Sequence, residues 1–211
     1  MDIQLSGLDA YTDDIWEKLP EDRYAFKYHR ENPLPDNVFD EIGNIFAKNY
    51  VQDRFSLYLN HRHFDLEPGE SLVESGAIAT PWPLRDASDA LRANIAAKTW
   101  AFLDDKLVPF EFSFPATAED FKSNHVPSQF IDELGAFLHA HDLTSRFGLT
   151  LLPKDMSTES GSLYETTIGR VSVQLPKNDS SPEEIVDVGW KFDALGRKIV
   201  RLCVRCCTGH G

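Results

Sequence analysis

Apolar positions recur in the same order in two stretches of the chain. Val38, Ile42 and Ile45 in the first, and Phe130, Leu134 and Phe137 in the second, follow the i, i+4, i+7 spacing of one helix face. The spacing predicts helices over about 37–50 and 129–142, each preceded by a proline. Asp36 or Ser128 stands where it can cap the first exposed N–H groups. Period-2 alternation follows each helix, through Phe55, Leu57 and Leu59 and then through Phe147, Leu149 and Leu151. A glycine turn leads to a second strand, about 71–79 and 163–174. Each stretch closes on a hairpin, 99–103 with 108–114 and 188–193 with 198–205, turning at Asp104-Asp105 and at Leu195-Gly196. Two expected elements lack a counterpart, a strand near 23–28 (RYAFKY) and a helix over about 86–97.

The resemblance extends to residue identity. Residues 35–57 laid over 127–149, at a constant offset of 92, share Pro35/Pro127, Asp40/Asp132, Glu41/Glu133, Gly43/Gly135, Arg54/Arg146, Phe55/Phe147 and Leu57/Leu149. Further on, GESLVE resembles GSLYE, and the segment from Trp100 resembles that from Trp190. The pattern predicts an α+β fold, antiparallel sheets with helices, made by internal duplication. Two helix-plus-four-strand repeats, about 22–114 and 115–207, would form one globular domain over 1–211 with a pseudo-two-fold axis. Double hotdogs and the paired βαβββ modules of vicinal-oxygen-chelate proteins follow a similar plan, and such folds hold small molecules between helix and sheet or between halves. Arg54 and Arg146 are expected to pair with the carboxylates of their own helices, and Trp100 and Trp190 to anchor the hairpins.

Charge narrows the partners. Lys plus Arg number 21 against 34 Asp plus Glu, giving −13 over 211 residues. Such a surface repels nucleic acid and anionic membranes. The N-terminal stretch lacks a signal-peptide pattern and no window is long and apolar enough for a membrane span, which predicts a cytoplasmic protein. Cys203, Cys206 and Cys207 all lie in the last nine residues, a pattern that fits a reducing compartment. With His210 they resemble half a zinc site, but without a second pair they read as small buried side chains. There is no phosphate loop, dinucleotide fingerprint or nucleophile elbow, so no nucleotide cofactor is implied.

The segment RFSLYLNHRHFDLEPGE, residues 54–70, carries the candidate chemistry. His61 and His63 continue the odd-numbered series of Phe55, Leu57 and Leu59, so both belong on its buried face, with Cβ atoms about 7 Å apart. Two imidazoles so placed suit a divalent metal such as zinc or iron, or a general acid–base pair, with Asp65 or Glu67 adding a carboxylate. HRHFDLE also fits the His-x-His-x3-Glu part of the first cupin motif, but Phe55 and Glu74 stand where that motif has glycine. The second stretch has Pro153 and Asp155 in place of the histidines, so a site here belongs to one half.

The run LNHRHFDLEPGESLVE, with WAFLDDKLVPFEF downstream, resembles a group of fungal proteins of no established activity, over about residues 35–114. The resemblance implies a fungal source and a globular, non-secreted protein. The residues themselves lead to a small-molecule enzyme or ligand-handling protein, working by proton transfer such as isomerisation, cyclisation or hydration, with or without a metal. His61, His63, Asp65 and Glu67 are its candidate catalytic residues, and His61 and His63 its candidate metal ligands. A homodimer is left open. The alternative is a non-catalytic, acidic interaction module in which the histidines only pack.

Overall fold

The computed structural model describes residues 1–104, 106–152, 163–176, 185–201 and 203–206. The chain begins with strand β1 (Asp2–Gln4) and helices α1 (Asp13–Lys18), α2 (Asp22–Glu31) and α3 (Asp36–Lys48). Strands β2 (Phe55–Leu59), β3 (Glu70–Ser75) and β4 (Ile78–Pro83) follow, then helix α4 (Asp89–Arg92) and strands β5 (Ala96–Leu103) and β6 (Lys106–Ser113). Next come α5 (Ala118–Ser123), β7 (His125–Pro127), α6 (Ser128–Ala140) and β8 (Phe147–Leu151). The chain continues through β9 (Leu163–Ile168), β10 (Val171–Pro176) and β11 (Ile185–Asp187). The last strands are β12 (Gly189–Phe192), β13 (Lys198–Arg201) and β14 (Cys203–Cys206). The α+β class is as the periodicity predicts. Among the described residues, no helix is long and apolar enough to cross a membrane.

Twelve strands form one mixed sheet in the order β11-β14-β9-β10-β4-β3-β6-β5-β8-β2-β12-β13. One residue separates β13, at one end of this order, from β14, next to the other. At 3.8 Å per Cα step those two strands lie within about 8 Å of each other, so the sheet curls until its ends meet. Strands of the two expected stretches pair with one another: β2 with β8, β5 with β8, β12 with β2 and β4 with β10. β3 runs parallel to β6, and β9 runs parallel to β14. The expected four strands per stretch are not what forms: the first contributes five strands to this sheet, β2 to β6, and the second seven, β8 to β14, because the β5–β6 hairpin is continuous where its counterpart is broken into β11 to β14.

The outer face of the curl is apolar. Phe55, Leu57, Leu59, Phe147, Leu149, Trp100, Trp190 and Phe192 are all buried. Helices α3 and α6 cover this side, with Phe46 between Phe130 and Phe192 at ring distances of 5.1 and 5.0 Å. The inner face carries the polar residues of the same strands, so β2 is buried on both sides.

Several local expectations need correction. RYAFKY lies in α2, because Ala25 and Phe26 point inward while Tyr24, Lys27 and Tyr28 stay exposed, a helical and not an alternating pattern. The helix expected over 86–97 reduces to α4, since Ala96, Ala97 and Trp100 are needed as buried strand positions in β5. The single strand expected over 71–79 is a hairpin, β3 to β4, because Gly76 at φ +65° reverses the chain, and Gly169 at φ +59° does the same between β9 and β10. Arg54 donates to the His125 carbonyl, and Arg146 donates to the Asn32 carbonyl and contacts His29, so neither arginine pairs with its helix. Asp105 of the expected Asp104-Asp105 turn lies outside the described residues.

Gly43 is where α3 meets the β12–β13 turn: a Cβ there would stand 1.8 Å from the Gly196 carbonyl oxygen. Gly43→Ala is expected to lower stability by about 3 kcal/mol in urea unfolding, through overpacking against backbone. Gly7→Ala, where a Cβ meets nothing within 4 Å, should change it by less than about 0.5 kcal/mol.

Candidate functional site

The ladder of β2 ends at Leu59, and the next residues are held by groups outside the sheet. Arg62 N–H donates to the Pro20 carbonyl at 2.9 Å, and Asp22 N–H donates to the Arg62 carbonyl at 3.0 Å. The Trp16 indole donates to the Phe64 carbonyl at 2.9 Å. These bonds take the segment out of strand alternation. His61 stacks on Tyr58 with ring centroids 5.3 Å apart and meets Phe26 edge-on at 4.9 Å. The His63 ring lies 4.8 Å from that of His61. Both histidines are buried, but on the side of Tyr58 and not on that of Phe55, Leu57 and Leu59. The expected face is therefore corrected, because the alternation stops where the ladder stops.

Inside the curl is a cavity of about 60 Å³. Every residue lining it belongs to a strand, and among the described residues no helix contributes to its wall. Tyr58, Glu74, Lys98, Glu111 and Glu165 are on its wall, and the two histidines stand behind Tyr58 and the glutamates. The β5–β6 register shifts at Lys98 and Thr99, and this irregularity turns both consecutive side chains inward.

The polar groups are tightly connected. His63 Nε2 lies 3.4 Å from Glu165 and 3.7 Å from Glu111. Thr99 donates to Glu111 at 2.6 Å, and the Thr99 and Thr150 hydroxyls are 3.0 Å apart. Ser172 donates to Glu165, Lys98 pairs with Glu74, and Gln174 donates to Glu74 at 2.9 Å. His61 Nδ1 is 2.7 Å from the Leu59 carbonyl. A carbonyl only accepts, so that bond puts the proton on Nδ1 and leaves the Nε2 lone pair open toward Tyr58 O–H at 3.4 Å.

No family model, curated protein or solved structure matches this chain. The site is accordingly read from its own chemistry.

Burial, followed by the charge of His63, brings the pKa of His61 down to about 4 and keeps that ring neutral at pH 7. Burial also works against a charged His63, but the Glu165 and Glu111 carboxylates outweigh it and raise its pKa. Burial opposes the charge of both glutamates in turn, yet His63, Lys98 and hydrogen bonds hold them below the usual carboxylate range. Lys98 is likewise kept protonated, chiefly by Glu74 against the effect of burial. One imidazole is held neutral and its neighbour is pushed toward the protonated form.

Of the four sequence-derived candidates, only His61 and His63 belong to the site. The Asp65 side chain is 85% exposed and pairs with Arg62 at 2.7 Å, and Glu67 is an exposed residue of the following turn. His29 contacts Arg146, and His139 and His141 lie at the end of α6, all outside the cluster. Cys207, His210, Pro153 and Asp155 lie outside the described residues. Sequence reasoning missed Glu111, Glu165, Glu74 and Lys98. One signal was present: aligning GESLVE with GSLYE superposes Glu74 on Glu165, and both face the cavity.

The two histidines should titrate apart. In metal-free protein, ¹⁵N NMR should show His61 neutral, with its proton on Nδ1, from pH 7 to about pH 5, and His63 mostly protonated at pH 6.5, where an ordinary imidazole is half-titrated. The raised pKa of His63 adds stability that is full below 6.5, the ordinary value, and fades as pH climbs through its folded value. The lowered pKa of His61 makes stability fall as pH drops from 6.5 toward 4. Two rings titrating together near their ordinary value would contradict the assignment.

Proposed function

We propose that this is a small-molecule enzyme or ligand-handling protein whose site is the cavity inside the curled sheet, with one divalent metal ion held by His61, His63 and Glu165. The observation that carries the reading is the donor set itself: one ligand atom from each of these buried side chains, all within 4.8 Å of one another. Tetrahedral bonds of about 2.1 Å need donors about 3.4 Å apart, so an ion would draw the three together by about 1 Å. Nitrogen and carboxylate donors together suit zinc or ferrous iron.

Charge supports the same reading. Glu74, Glu111 and Glu165 bring three negative charges into the cavity wall and Lys98 one positive. A divalent ion with neutral histidines brings the sum to zero. Without an ion, even a protonated His63 leaves an excess negative charge in a buried site, which is costly.

The chemistry that fits is proton transfer, of the isomerase or lyase kind. An ion at this position acts as a Lewis acid on an oxygen of the bound molecule. Glu111, oriented by Thr99 and facing the cavity, is the proton acceptor. Lys98 and Gln174 hold Glu74 on another part of the wall. Three cysteines within five residues, too close together to staple a long loop, support a reducing, cytoplasmic setting. A second reading has its own observation: His63 Nε2 sits between two carboxylates, the surroundings of an imidazolium, which would let His61 and His63 work as base and acid without an ion. Neither histidine lines the cavity itself; the contacts of His63 with Glu165 and Glu111, which do line it, favour either reading over a packing-only role.

Protein purified without a nickel column should take up one zinc or cobalt ion per chain by metal analysis. His61→Ala, His63→Ala and Glu165→Gln should each weaken that uptake by at least about 100-fold. Glu111→Gln should leave it within about tenfold. Equal, weak binding by all five proteins would remove the metal and leave the acid–base pair.

A further inference from the structure

The cavity wall has one polar group whose hydrogen bonding is unspent. Ser56 lies on β2, two residues before Tyr58 and on the same inner face, and it is fully buried. Its Oγ has no hydrogen-bond partner among the described residues. The other polar side chains around it are engaged: Thr150 with Thr99 and the Lys98 carbonyl, Gln174 and Lys98 with Glu74, Glu111 with Thr99. A buried hydroxyl without a partner destabilises a fold, so its presence calls for a ligand that completes it.

The rest of the wall says what that ligand is. The charges of Glu74, Glu111, Glu165 and Lys98 sum to −2, and a bound divalent ion brings the total to zero. An anion entering this space would meet three carboxylates, and a cation would meet the metal and Lys98. Leu72, Ala79, Phe112 and Leu151 supply apolar surface beside Ser56. A cavity of about 60 Å³ holds about five waters, or a small organic molecule in their place.

Building on the metal site, we infer that the cavity takes a small uncharged carbonyl or hydroxy compound, one oxygen directed to the ion and a second polar group hydrogen-bonded to Ser56 Oγ. Ser56 is then a binding residue retained at the expense of stability. The cavity volume of about 60 Å³ limits the ligand to a few non-hydrogen atoms.

The test uses the cobalt-loaded protein and three probes of similar size: neutral hydroxyacetone, anionic pyruvate and cationic 1-aminopropan-2-ol. Hydroxyacetone should change the visible cobalt spectrum and bind at least about tenfold more tightly than either charged probe. Ser56→Ala should weaken hydroxyacetone by about three- to tenfold, leave cobalt affinity unchanged, and leave the melting temperature equal or higher. Ser56→Cys, which keeps the volume, repeats the comparison if the alanine variant fails to fold. Tightest binding of pyruvate or of the amine overturns the uncharged class. A lower melting temperature with unchanged hydroxyacetone affinity makes Ser56 structural and overturns its role. Failure of cobalt to bind at all sinks the metal reading first, and this inference with it, a result distinct from either of the others.

Discussion

Three carboxylates and a lysine face one another inside a curled sheet, Glu165 buried and Glu74, Glu111 and Lys98 half-buried, and their need for compensation governs the arrangement of the interior. Each charged group is held by a partner: Lys98 on Glu74, His63 against Glu111 and Glu165, Thr99 and Ser172 on the two glutamates. Replacing such a network with well-packed apolar side chains is usually neutral or stabilising. The network is therefore poorly explained as a device for stability. It is well explained as a binding site whose charge is completed by something from solution.

The fold makes such an interior affordable by placing its apolar packing elsewhere. Phe55, Leu57, Phe147, Leu149, Trp100 and Trp190 form the outer face of the neighbouring strands β5, β8, β2 and β12 under α3 and α6. The aromatic contacts of Phe46, Phe130, Phe192, Phe39 and Trp190 join helices to sheet there. Closure of the sheet brings β9 and β6, distant in sequence, to opposite sides of His63. The bonds from Pro20, Asp22 and Trp16 to residues 62–64 fix the histidines against that pair. Fold and site are thus coupled through the point where β2 stops being a strand.

Much of this was legible in the residues, for physical reasons that differ by element. The long helices α3 and α6 and strands β2 and β8 were readable because each has a strong period and one strongly apolar face. RYAFKY was misread because six residues with aromatic alternation satisfy both periods, and packing of Phe26 on His61 decides for the helix. The histidines were found, since paired imidazoles after a strand are uncommon, but Asp65 and Glu67 were assigned to them by closeness in sequence. The carboxylates that reach them come from Glu111 and Glu165, brought in by sheet closure. Glu111 lies between two phenylalanines in β6, where an isolated charge in an apolar strand was itself a sign of an inward polar role.

The central claim is that this interior binds a divalent cation in exchange for the proton on His63. Isothermal titration calorimetry of metal-free protein with zinc at pH 6, repeated in buffers of different ionisation enthalpy, measures that exchange directly. The account predicts one ion per chain and release of about one proton per ion. Absence of binding heat, or binding without proton release, would contradict it.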